Sequence, residues 1–463
     1  MKKKFAALIT AIALSLCCGA LLAACGDPVP VEAKSVKAVI WGYEWGPAVP
    51  KVIVEFNDNV SDVNKDTFAV RIGSKNRTVL DAYKSDKDGN KTTEATKYVA
   101  VETDVKYNES SPFVYDQKTS KNDWVETLAV RLTVKGEFTV GKTACEKDKA
   151  FSLTAKAEDR VVPQTASWKK DTVKLTKDGK EQVIQRASWK PEGAETDGGK
   201  NPLIIWLHGM GEGGTDIDIA LLGNEVTALT TENQTNVQKH FTTATQKGAY
   251  VLALQSPTMW MDGGDGEMNV DKPGTGKQLS CYTDIVWKAI TDYVENNSDV
   301  DPNRIYLGGC SNGGYMTMNM AFEHGDYFAA FYPVCEAYID TKISDDMIND
   351  IKDYKMWFIQ SHDDTTVDAT KYVYPTYARL LKAGAQNMHL TVTDHVYGMD
   401  DPHPSSWGVP DTYMGHWVWI TAFNDKIEKQ VDNSVINAST DIKPEICTKD
   451  GNVWKWLAEQ KKA

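Results

Sequence analysis

Residues 305–314 read Ile305-Tyr306-Leu307-Gly308-Gly309-Cys310-Ser311-Asn312-Gly313-Gly314, which places a serine inside the pattern G-x-S-x-G. An apolar run comes directly before the serine, and a helical pattern begins near Tyr315. This context predicts a buried strand, a sharp turn and a helix, with Ser311 at the turn. The turn needs small neighbours, because a side chain at either flanking glycine would collide with adjacent backbone. We therefore expect Ser311 to be a nucleophile presented at the end of a strand.

Past Pro202 the chain alternates between buried apolar runs and amphipathic helical patterns, which is typical of an α/β domain. The runs 203–207 and 250–254 are continuously apolar, as expected for parallel strands that are covered on both faces. Residues 165–463 are therefore expected to form an α/β domain with a mostly parallel central sheet. Further strands are predicted at 305–309, 329–334, 356–360 and 389–392, and helices at 282–296 and 372–381.

The stretch 37–160 has a different rhythm, in which short alternating apolar runs are separated by polar turns. Period-two patterning at this spacing predicts a small all-β sandwich. Its segment Lys84-Ser85-Asp86-Lys87-Asp88-Gly89-Asn90 is predicted to be a solvated hairpin tip, with a calcium loop as the alternative. The clearest strand patterns lie at 49–56, 68–72, 98–103 and 128–134.

The N-terminus has the layout of an export signal, residues 1–24, with three lysines, the apolar run 5–22 and two alanines before Cys25. Leu22-Ala23-Ala24-Cys25 resembles the lipobox of bacterial lipoproteins, in which the cysteine carries the lipid. The resemblance implies a chain anchored to the membrane outside the cytoplasm, with residues 25–36 as a linker. An ordinary signal peptide and a single membrane span are the alternatives, although the apolar run is near the short limit for a span.

The formal net charge of −13 makes nucleic acid an unexpected partner, because a negative field repels phosphates. Besides Cys25, five cysteines follow the signal, and an odd number cannot all pair. Their spacing matches no metal-binding pattern, so we expect no metal site and a fold held mainly by its core. These five are Cys145, Cys281, Cys310, Cys335 and Cys447.

A serine nucleophile near neutral pH needs a base, and the base needs an orienting carboxylate. In α/β-hydrolases these groups follow in the order Ser, Asp, His. Residues 357–367 are a buried strand running into an acidic loop, and the loop resembles the family pattern Asp-x-x-Val. Asp364 stands three residues before Val367 and is the predicted acid, with Asp363 as its competitor.

The predicted base is His416, which stands in Met414-Gly415-His416-Trp417-Val418-Trp419 and leads into an apolar helix. This segment resembles the family's Gly-His-x-x-Trp ending. His389 lies within a strand pattern and is interpreted as a packed residue, whereas His395 and His403 are interpreted as exposed loop histidines.

Acyl transfer also creates an oxyanion, which backbone N–H groups must hold. The stretch 206–214, Trp206-Leu207-His208-Gly209-Met210-Gly211-Glu212-Gly213-Gly214, follows a buried strand and resembles the His-Gly loop of this superfamily. Met210 and Asn312 are predicted to supply the two amides, with His208 and Gly209 next to the substrate. A nucleotide-binding loop is the alternative, but neither G-x-G-x-x-G nor the P-loop pattern is present, so no cofactor is expected.

Trp260 follows another buried strand and should reach the same edge of the sheet, where it is predicted to wall the substrate pocket. The loop Asp262-Gly263-Gly264-Asp265-Gly266-Glu267 is interpreted as an acidic rim, with a metal loop as the alternative.

Residues from about 165 to 430 resemble bacterial extracellular esterases of the α/β-hydrolase fold, the feruloyl and acetylxylan esterases and the polyhydroxybutyrate depolymerase-like group. The oxyanion segment, the serine turn, the acid loop and the histidine loop match in order. The domain before them is similar to the immunoglobulin-like domain that some of these esterases carry. Cys310 occupies the variable position that precedes the nucleophile in this family. A disulfide between Cys310 and Cys335 is one alternative, and two free thiols are the other.

The resemblance implies a two-step acyl transfer on an ester substrate, with acetyl or feruloyl esters of plant cell-wall polysaccharides as candidates. Two alternatives remain open. A peptidase of the prolyl-oligopeptidase type would keep the same three residues and cleave an amide. A non-catalytic binding lipoprotein would use the fold only as a scaffold.

Overall fold

The computed structural model describes residues 30–177, 179–230, 237–266, 280–398, 407–436 and 442–462. The predicted export signal, Cys25, Glu267 and His403 lie outside the described residues. The chain divides into two compact units. The first comprises Met1–Val39, Val49–Val105 and Glu126–Val161, and the second comprises Ile40–Ala48, Lys106–Val125 and Val162–Ala463.

The N-terminal part of the chain is built from short β-strands, as the alternating pattern predicts. A five-stranded and a four-stranded sheet form there, and a separate antiparallel hairpin lies between their strands in the sequence. The strands are β1 (Ala33–Tyr43), β2 (Gly46–Phe56), β3 (Phe68–Ile72), β4 (Lys75–Arg77), β5 (Val79–Ser85), β6 (Tyr98–Thr103), β7 (Phe113–Asp116), β8 (Lys121–Trp124), β9 (Leu128–Val134), β10 (Thr139–Val140), β11 (Thr143–Ala144), β12 (Ala150–Ala155) and β13 (Arg160–Val161).

The two sheets have the strand orders β13-β1-β2-β6-β5 and β12-β9-β3-β4. In the core of the first unit, Phe56 of β2 contacts Phe151 of β12 at a ring-centroid distance of 5.2 Å. Phe68 of β3 contacts Phe138 at 5.0 Å. Buried and exposed residues alternate along β3, as expected of a strand with one face on a core. The predicted sandwich is therefore confirmed.

The segment 84–90 forms the tip of a hairpin. The Asp86 carboxylate accepts the main-chain N–H groups of Asp88 and Asn90, each at 2.9 Å. These are the bonds of an Asx-type turn, so this acidic residue serves to fold its own loop.

The second unit contains an eight-stranded sheet with helices in the connections. Its helices are α1 (Ile217–Gly223), α2 (Thr283–Glu295), α3 (Asn312–His324), α4 (Asp345–Ile351), α5 (Val373–Lys382), α6 (Trp419–Phe423) and α7 (Val453–Glu459). Its strands are β14 (Lys169–Lys177), β15 (Lys180–Trp189), β16 (Asn201–Leu207), β17 (Thr242–Thr243), β18 (Gln246–Lys247), β19 (Tyr250–Gln255), β20 (Val300–Cys310), β21 (Ala330–Val334), β22 (Met356–Ser361), β23 (Met388–Thr393), β24 (Val396–Tyr397), β25 (Thr412–Tyr413), β26 (Lys429–Gln430) and β27 (Lys449–Asp450).

The strand order of the large sheet is β14-β15-β19-β16-β20-β21-β22-β23. Six neighbouring strands pair in parallel, in the order β19-β16-β20-β21-β22-β23. The strands β15 and β14 extend the sheet beyond β19 by antiparallel pairing. Every residue of β16 and β19 is buried, because the helices cover both faces. The predicted mostly parallel central sheet is confirmed, whereas β14 and β15 were not predicted from the sequence.

The register brings the ends of the parallel strands to one edge. Leu207 at the end of β16 lies opposite Gly309 of β20, and Cys310 lies opposite Val334 at the end of β21. The loops that follow these strands therefore start side by side, which is where ligands bind in open α/β sheets.

Two segments inside the predicted sandwich, Ile40–Ala48 and Lys106–Val125, belong to the second unit. The main-chain N–H of Gly42 donates to the side-chain oxygen of Gln164 at 2.6 Å. The indole N–H of Trp124 donates to Asp216 at 2.8 Å. Such contacts join residues far apart in the sequence, so the local pattern gives no sign of them.

None of the described helices has the length and apolar character needed to cross a membrane.

Candidate active site

Ser311 sits at the turn between β20 and α3. Its backbone has φ 55° and ψ −114°, a conformation that non-glycine residues seldom adopt. The main-chain N–H of Ser311 donates to the carbonyl of Val334 at 3.0 Å and fixes the turn. A Cβ on Gly309 or Gly313 would lie 2.5 Å or 1.9 Å from the carbonyl oxygen of Leu207, so both flanking positions require glycine. The predicted strand, turn and helix are all present.

Asp364 and His416 form a hydrogen-bonded pair. Nδ1 of His416 lies 2.9 Å from Oδ2 of Asp364, whose side chain is fully buried. The other carboxylate oxygen of Asp364 accepts the main-chain N–H groups of Thr366 and Val367 at 2.8 and 3.0 Å. These bonds hold the carboxylate in place, and a carboxylate in this position fixes the tautomer of the imidazole.

Asp363 points to a different histidine. Its Oδ2 lies 2.7 Å from Nδ1 of His395, whose side chain is half exposed. Hydrogen bonding to Asp363 raises the pKa of His395. His389 stacks on Trp357 at a ring-centroid distance of 4.9 Å, in agreement with its interpretation as a packed residue. Of the two carboxylates, Asp364 is the one beside His416.

Ser311 and His416 line one cavity of about 530 Å³. The elements that surround it include the turn after β1, the β7–β8 hairpin, the loop after β16 and the loop that carries His416. Its lining is largely aromatic and apolar, and the described residues that form it include no lysine or arginine. The lining residues are Glu44, Trp45, Gly46, Pro47, Ser111, Phe113, Tyr115, Asn122, Gly209, Met210, Gly211, Glu212, Gly223, Ser311, Thr366, Met414, His416, Trp417 and Trp419.

The wall contributed by residues 44–47 and 111–122 was missed in the sequence. No motif marks these residues, and their alternating pattern is that of ordinary strands. The hairpin is fixed in the second unit by two long-range bonds, Trp124 to Asp216 and the Lys121 ammonium to the carbonyl of Pro257 at 3.1 Å.

Of the two predicted oxyanion residues, Met210 lines the cavity, and Asn312 directly follows Ser311, which lines it too. Met210 begins the 3-10 turn Met210–Glu212 directly after Gly209, and both line the cavity. Asn312 is the first residue of α3, and the N–H groups of the first helical turn have no partner within the helix. A Cβ on Gly213 would lie 1.9 Å from the carbonyl oxygen of Thr258. Glycine is therefore required at position 213 for the loop after β16 to pack against the backbone of Thr258.

His208 and Trp260 lie behind the cavity wall, which differs from the sequence prediction. Both side chains are fully buried and neither lines the cavity. Nε2 of His208 accepts the main-chain N–H of Ser256 at 3.1 Å, so Nδ1 carries the proton and donates to the carbonyl of Gly209. Burial lowers the pKa of His208 to about 4, so the ring is neutral. Both residues support the loops that carry the candidate oxyanion donors.

The loop that begins at Asp262 is also held by local bonds. The buried Asp262 carboxylate accepts the main-chain N–H groups of Gly264 and Gly266 at 2.7 and 2.9 Å. The hydroxyl of Thr258 donates to its other oxygen at 2.7 Å. Asp262 is therefore a loop-folding residue and not part of an exposed acidic rim.

The five described cysteines are all free thiols, so the bridge between Cys310 and Cys335 does not form in this structure. Burial raises the pKa of both thiols well above the usual value. The Cys335 thiol donates to the main-chain carbonyl of His416 at 3.3 Å. Cys335, Asp364 and His416 could together offer three metal-ligand atoms within 4.8 Å of one another, although the side chains of Asp364 and His416 already hydrogen-bond to each other.

Residues 35–144 match the family model of the esterase Ig-like N-terminal domain, and residues 276–386 match that of the prolyl oligopeptidase family. The second match spans Ser311 and Asp364. No curated protein matches the sequence significantly.

Among solved structures, the chain is similar to a thermostable esterase with a TM-score of 0.64 and 20% identity, over 92% of this chain and 100% of that one. A ferulic acid esterase matches with a TM-score of 0.32 and 14% identity, over 52% of this chain and 93% of its own. An acylaminoacyl peptidase matches with a TM-score of 0.35 and 13% identity, over 86% of this chain and 55% of its own. The α/β-hydrolase fold preceded by an immunoglobulin-like domain is thereby confirmed.

Proposed function

We propose that this chain, an α/β-hydrolase with an esterase-type immunoglobulin-like domain, is a serine esterase that works through Ser311, His416 and Asp364. The observation that carries the proposal is the buried Asp364–His416 pair, whose imidazole lines the same cavity as a serine on a strained strand-to-helix turn. Strained backbone of this kind persists where the surrounding structure enforces it, and it is frequent at active sites.

The reaction would proceed in two acyl-transfer steps. His416 takes the proton of Ser311 while the serine oxygen attacks the ester carbonyl, and the alcohol leaves after it receives that proton. Water then attacks the acyl-serine with the same imidazole as base, which releases the acid and restores Ser311. Asp364 orients the imidazole and stabilises its charged form, and the main-chain amides of Met210 and Asn312 hold the oxyanion.

The cavity favours an uncharged, aromatic or apolar ester over an anionic one. Trp45, Phe113 and Trp417 supply flat apolar surface, and the described lining offers no cationic side chain to pair with a carboxylate. Its volume of about 530 Å³ is in the range of sites for drug-sized ligands and exceeds what an acetyl group fills. Between the two candidate acyl groups, feruloyl therefore fits this lining better than acetyl, with a plant cell-wall polysaccharide as the alcohol component.

The prolyl oligopeptidase match to residues 276–386 favours a second candidate, cleavage of a peptide amide by the same three residues. Both candidates are tested by one panel. It contains p-nitrophenyl acetate and butyrate, methyl ferulate, acetylated xylan and a proline-containing peptide amide, each assayed with the wild type and with Ser311→Ala. Ester turnover that is lost in Ser311→Ala supports the esterase. Turnover of the peptide alone supports the peptidase, and no turnover of any substrate contradicts both.

The cellular location is a separate proposal, which rests on the sequence of the signal and of Leu22-Ala23-Ala24-Cys25. Cys25 would be lipidated and would anchor the protein to the membrane outside the cytoplasm. Mass spectrometry of the N-terminal peptide from the native host tests this, with Cys25→Ala as control. A diacylglycerol adduct on Cys25 that is lost in the variant supports the anchor. An unmodified Cys25, or a signal that is not cleaved, contradicts it.

A further inference from the structure

The oxyanion turn Met210–Glu212 ends in a buried acid that the proposed reaction does not use. Glu212 is 8% exposed and lines the cavity. A Cβ on Gly209 would lie 3.0 Å from its Oε2, and a Cβ on Gly223 would lie 2.7 Å from its Cγ. The carboxyl therefore packs directly against the backbone of the residue that precedes the predicted oxyanion donor Met210.

Four groups donate hydrogen bonds to this carboxyl: the side chains of Asn224 and Asn122 and the main-chain N–H groups of Gly209 and of Glu212 itself. The side-chain oxygen of Asn224 also accepts the N–H of Gly209 at 3.3 Å. Asn224 follows α1 and Asn122 lies on β8. Glu212 thus connects the oxyanion turn to a helix on one side and to the cavity-wall hairpin on the other.

We infer that Glu212 positions the oxyanion turn through its neutral carboxyl and that turnover falls when this carboxyl ionises. The inference rests on the proposed esterase function. Glu212 is a positioning residue in this account, since it acts on the substrate through the amide of Met210.

The surroundings of Glu212 favour the neutral form. Burial raises its pKa to about 7, because the four N–H donors do not offset the loss of water. On β20, the Cys310 thiol reaches the same glycine, with its Sγ 3.4 Å from a Cβ on Gly209, and it carries no positive charge.

The charged groups on the elements packed against the turn have other partners. The Lys121 ammonium on β8 donates to the carbonyl of Pro257. Asp216, which caps α1, accepts from the indole of Trp124 and from its own helix. Burial and the charge of Glu44 raise the pKa of Glu225, which follows Asn224. Among the described residues that line the cavity with Glu212, no lysine or arginine is present to compensate an ionised carboxylate.

An ionised Glu212 would oppose catalysis at the moment when the oxyanion forms. The new negative charge on the substrate would face a carboxylate close to the amide that must hold it, and like charges repel strongly in a partly dry site. Below a pH of about 7 the carboxyl is protonated and this repulsion is absent. Because the base must be unprotonated, activity first rises with pH, and ionisation of Glu212 then produces a fall on the alkaline side.

The test is the pH profile of kcat for p-nitrophenyl butyrate between about pH 6 and about pH 9, measured for the wild type, Glu212→Gln and Glu212→Ala. Glutamine keeps the shape and the hydrogen-bond acceptor but cannot ionise. We expect the wild-type kcat to fall about tenfold at the alkaline end, and the fall to vanish in Glu212→Gln. Glu212→Ala should have a kcat about tenfold below the wild-type maximum, with no alkaline fall and little change in KM, because the turn loses its support and the ionisable group together.

Glu336→Gln is the matched control. Glu336 is another buried carboxyl, whose pKa burial raises to about 8, and it lies against Gly314 of α3. This variant should keep the alkaline fall. An alkaline fall that persists in Glu212→Gln, or that disappears in Glu336→Gln alone, overturns the inference while leaving the esterase proposal intact. No turnover in the wild type overturns both.

Discussion

The main-chain N–H of Trp260 donates a 2.6 Å hydrogen bond to the side-chain oxygen of Asn312, the residue directly after Ser311. The indole N–H of the same tryptophan donates to the carbonyl of His208 at 3.1 Å. Trp260 thus joins the loop after β16 to the turn after β20, the two places from which the proposed oxyanion donors come. We predicted from the sequence that Trp260 lines the pocket. Instead it lies outside the cavity lining, and its two hydrogen bonds hold the two loops at a fixed distance from each other.

Replacement of Asn312 by alanine should reduce both stability and turnover. The variant keeps its own main-chain amide but leaves the buried N–H of Trp260 without an acceptor, which costs about 1–3 kcal/mol of unfolding free energy. We expect kcat to fall about tenfold, because the turn is no longer held in register with its partner loop. Urea unfolding and steady-state kinetics measure the two effects.

Asn319→Ala on the same helix is the control for that variant. Asn319 is fully buried and donates to the hydroxyl of Thr283 at 2.8 Å, so its loss should also destabilise the fold. Its kcat should stay close to that of the wild type. If the two variants lose kcat equally, the link from Trp260 to Asn312 has no special role in turnover.

The neighbouring acids should differ strongly in their effect on turnover. Asp364→Asn removes the charge beside His416 and should lower kcat by about three to four orders of magnitude. Asp363→Asn alters the bonds to the half-exposed His395 and to the hydroxyl of Ser361, neither of which is a proposed catalytic residue, and should change kcat less than about threefold. Equal losses in the two variants, measured with one ester under the same conditions, would contradict the assignment of Asp364.

His208 should make the protein sensitive to acid. Burial lowers its folded-state pKa from 6.5 to about 4, so the unfolded chain binds a proton that the folded chain does not. The contribution of the neutral His208 to the free energy of unfolding is therefore fully present above the unfolded pKa of 6.5. It is lost as the pH falls from there to the folded pKa of about 4, and the loss amounts to about 3 kcal/mol.

The measurement is the free energy of unfolding in urea at neutral pH and at a pH near 4, for the wild type and for His208→Gln. The variant cannot take up this proton, so its loss of stability between the two pH values should be smaller by about the same 3 kcal/mol. An identical acid dependence of the two proteins would show that His208 is not kept neutral by burial.

The hairpin should influence which esters are accepted. Phe113 lines the cavity and packs edge-on against Trp124 at a ring-centroid distance of 4.7 Å. Phe113→Ala should raise KM for methyl ferulate about tenfold, because apolar contact with a bulky acyl group is lost. KM for p-nitrophenyl acetate should change little. An equal change in KM for the two esters would indicate that the substitution disturbs the whole site, and it would contradict a role of the hairpin in choosing between esters.

Patterns of local periodicity predicted the fold well. The apolar runs at 203–207 and 250–254 became β16 and β19, and the helix predicted at 282–296 became α2. The alternating runs at 68–72 and 98–103 coincide with β3 and β6. These elements are buried on one or both faces throughout their length, so the spacing of their apolar residues is enough to predict them.

Residues of the candidate site could be predicted where a short motif is flanked by recognisable strand or helix patterns. Ser311 stands between strand and helix patterns, and the order of acid and histidine follows from the family resemblance. The roles of Trp45, Phe113 and Glu212 were not predictable, because they depend on contacts between segments far apart in the chain. The strands β14 and β15 were missed because their mostly polar, exposed or half-buried residues lack the buried apolar runs of the central strands.

The most direct test of the account is labelling of the folded protein with a fluorophosphonate, followed by mass spectrometry of the peptide that contains residues 305–314. We expect stoichiometric modification of Ser311 in the wild type, no modification in Ser311→Ala, and slow modification in Asp364→Asn. A folded wild-type protein that takes up no label, or takes it up at another serine, would contradict the proposal that Ser311 is the activated nucleophile.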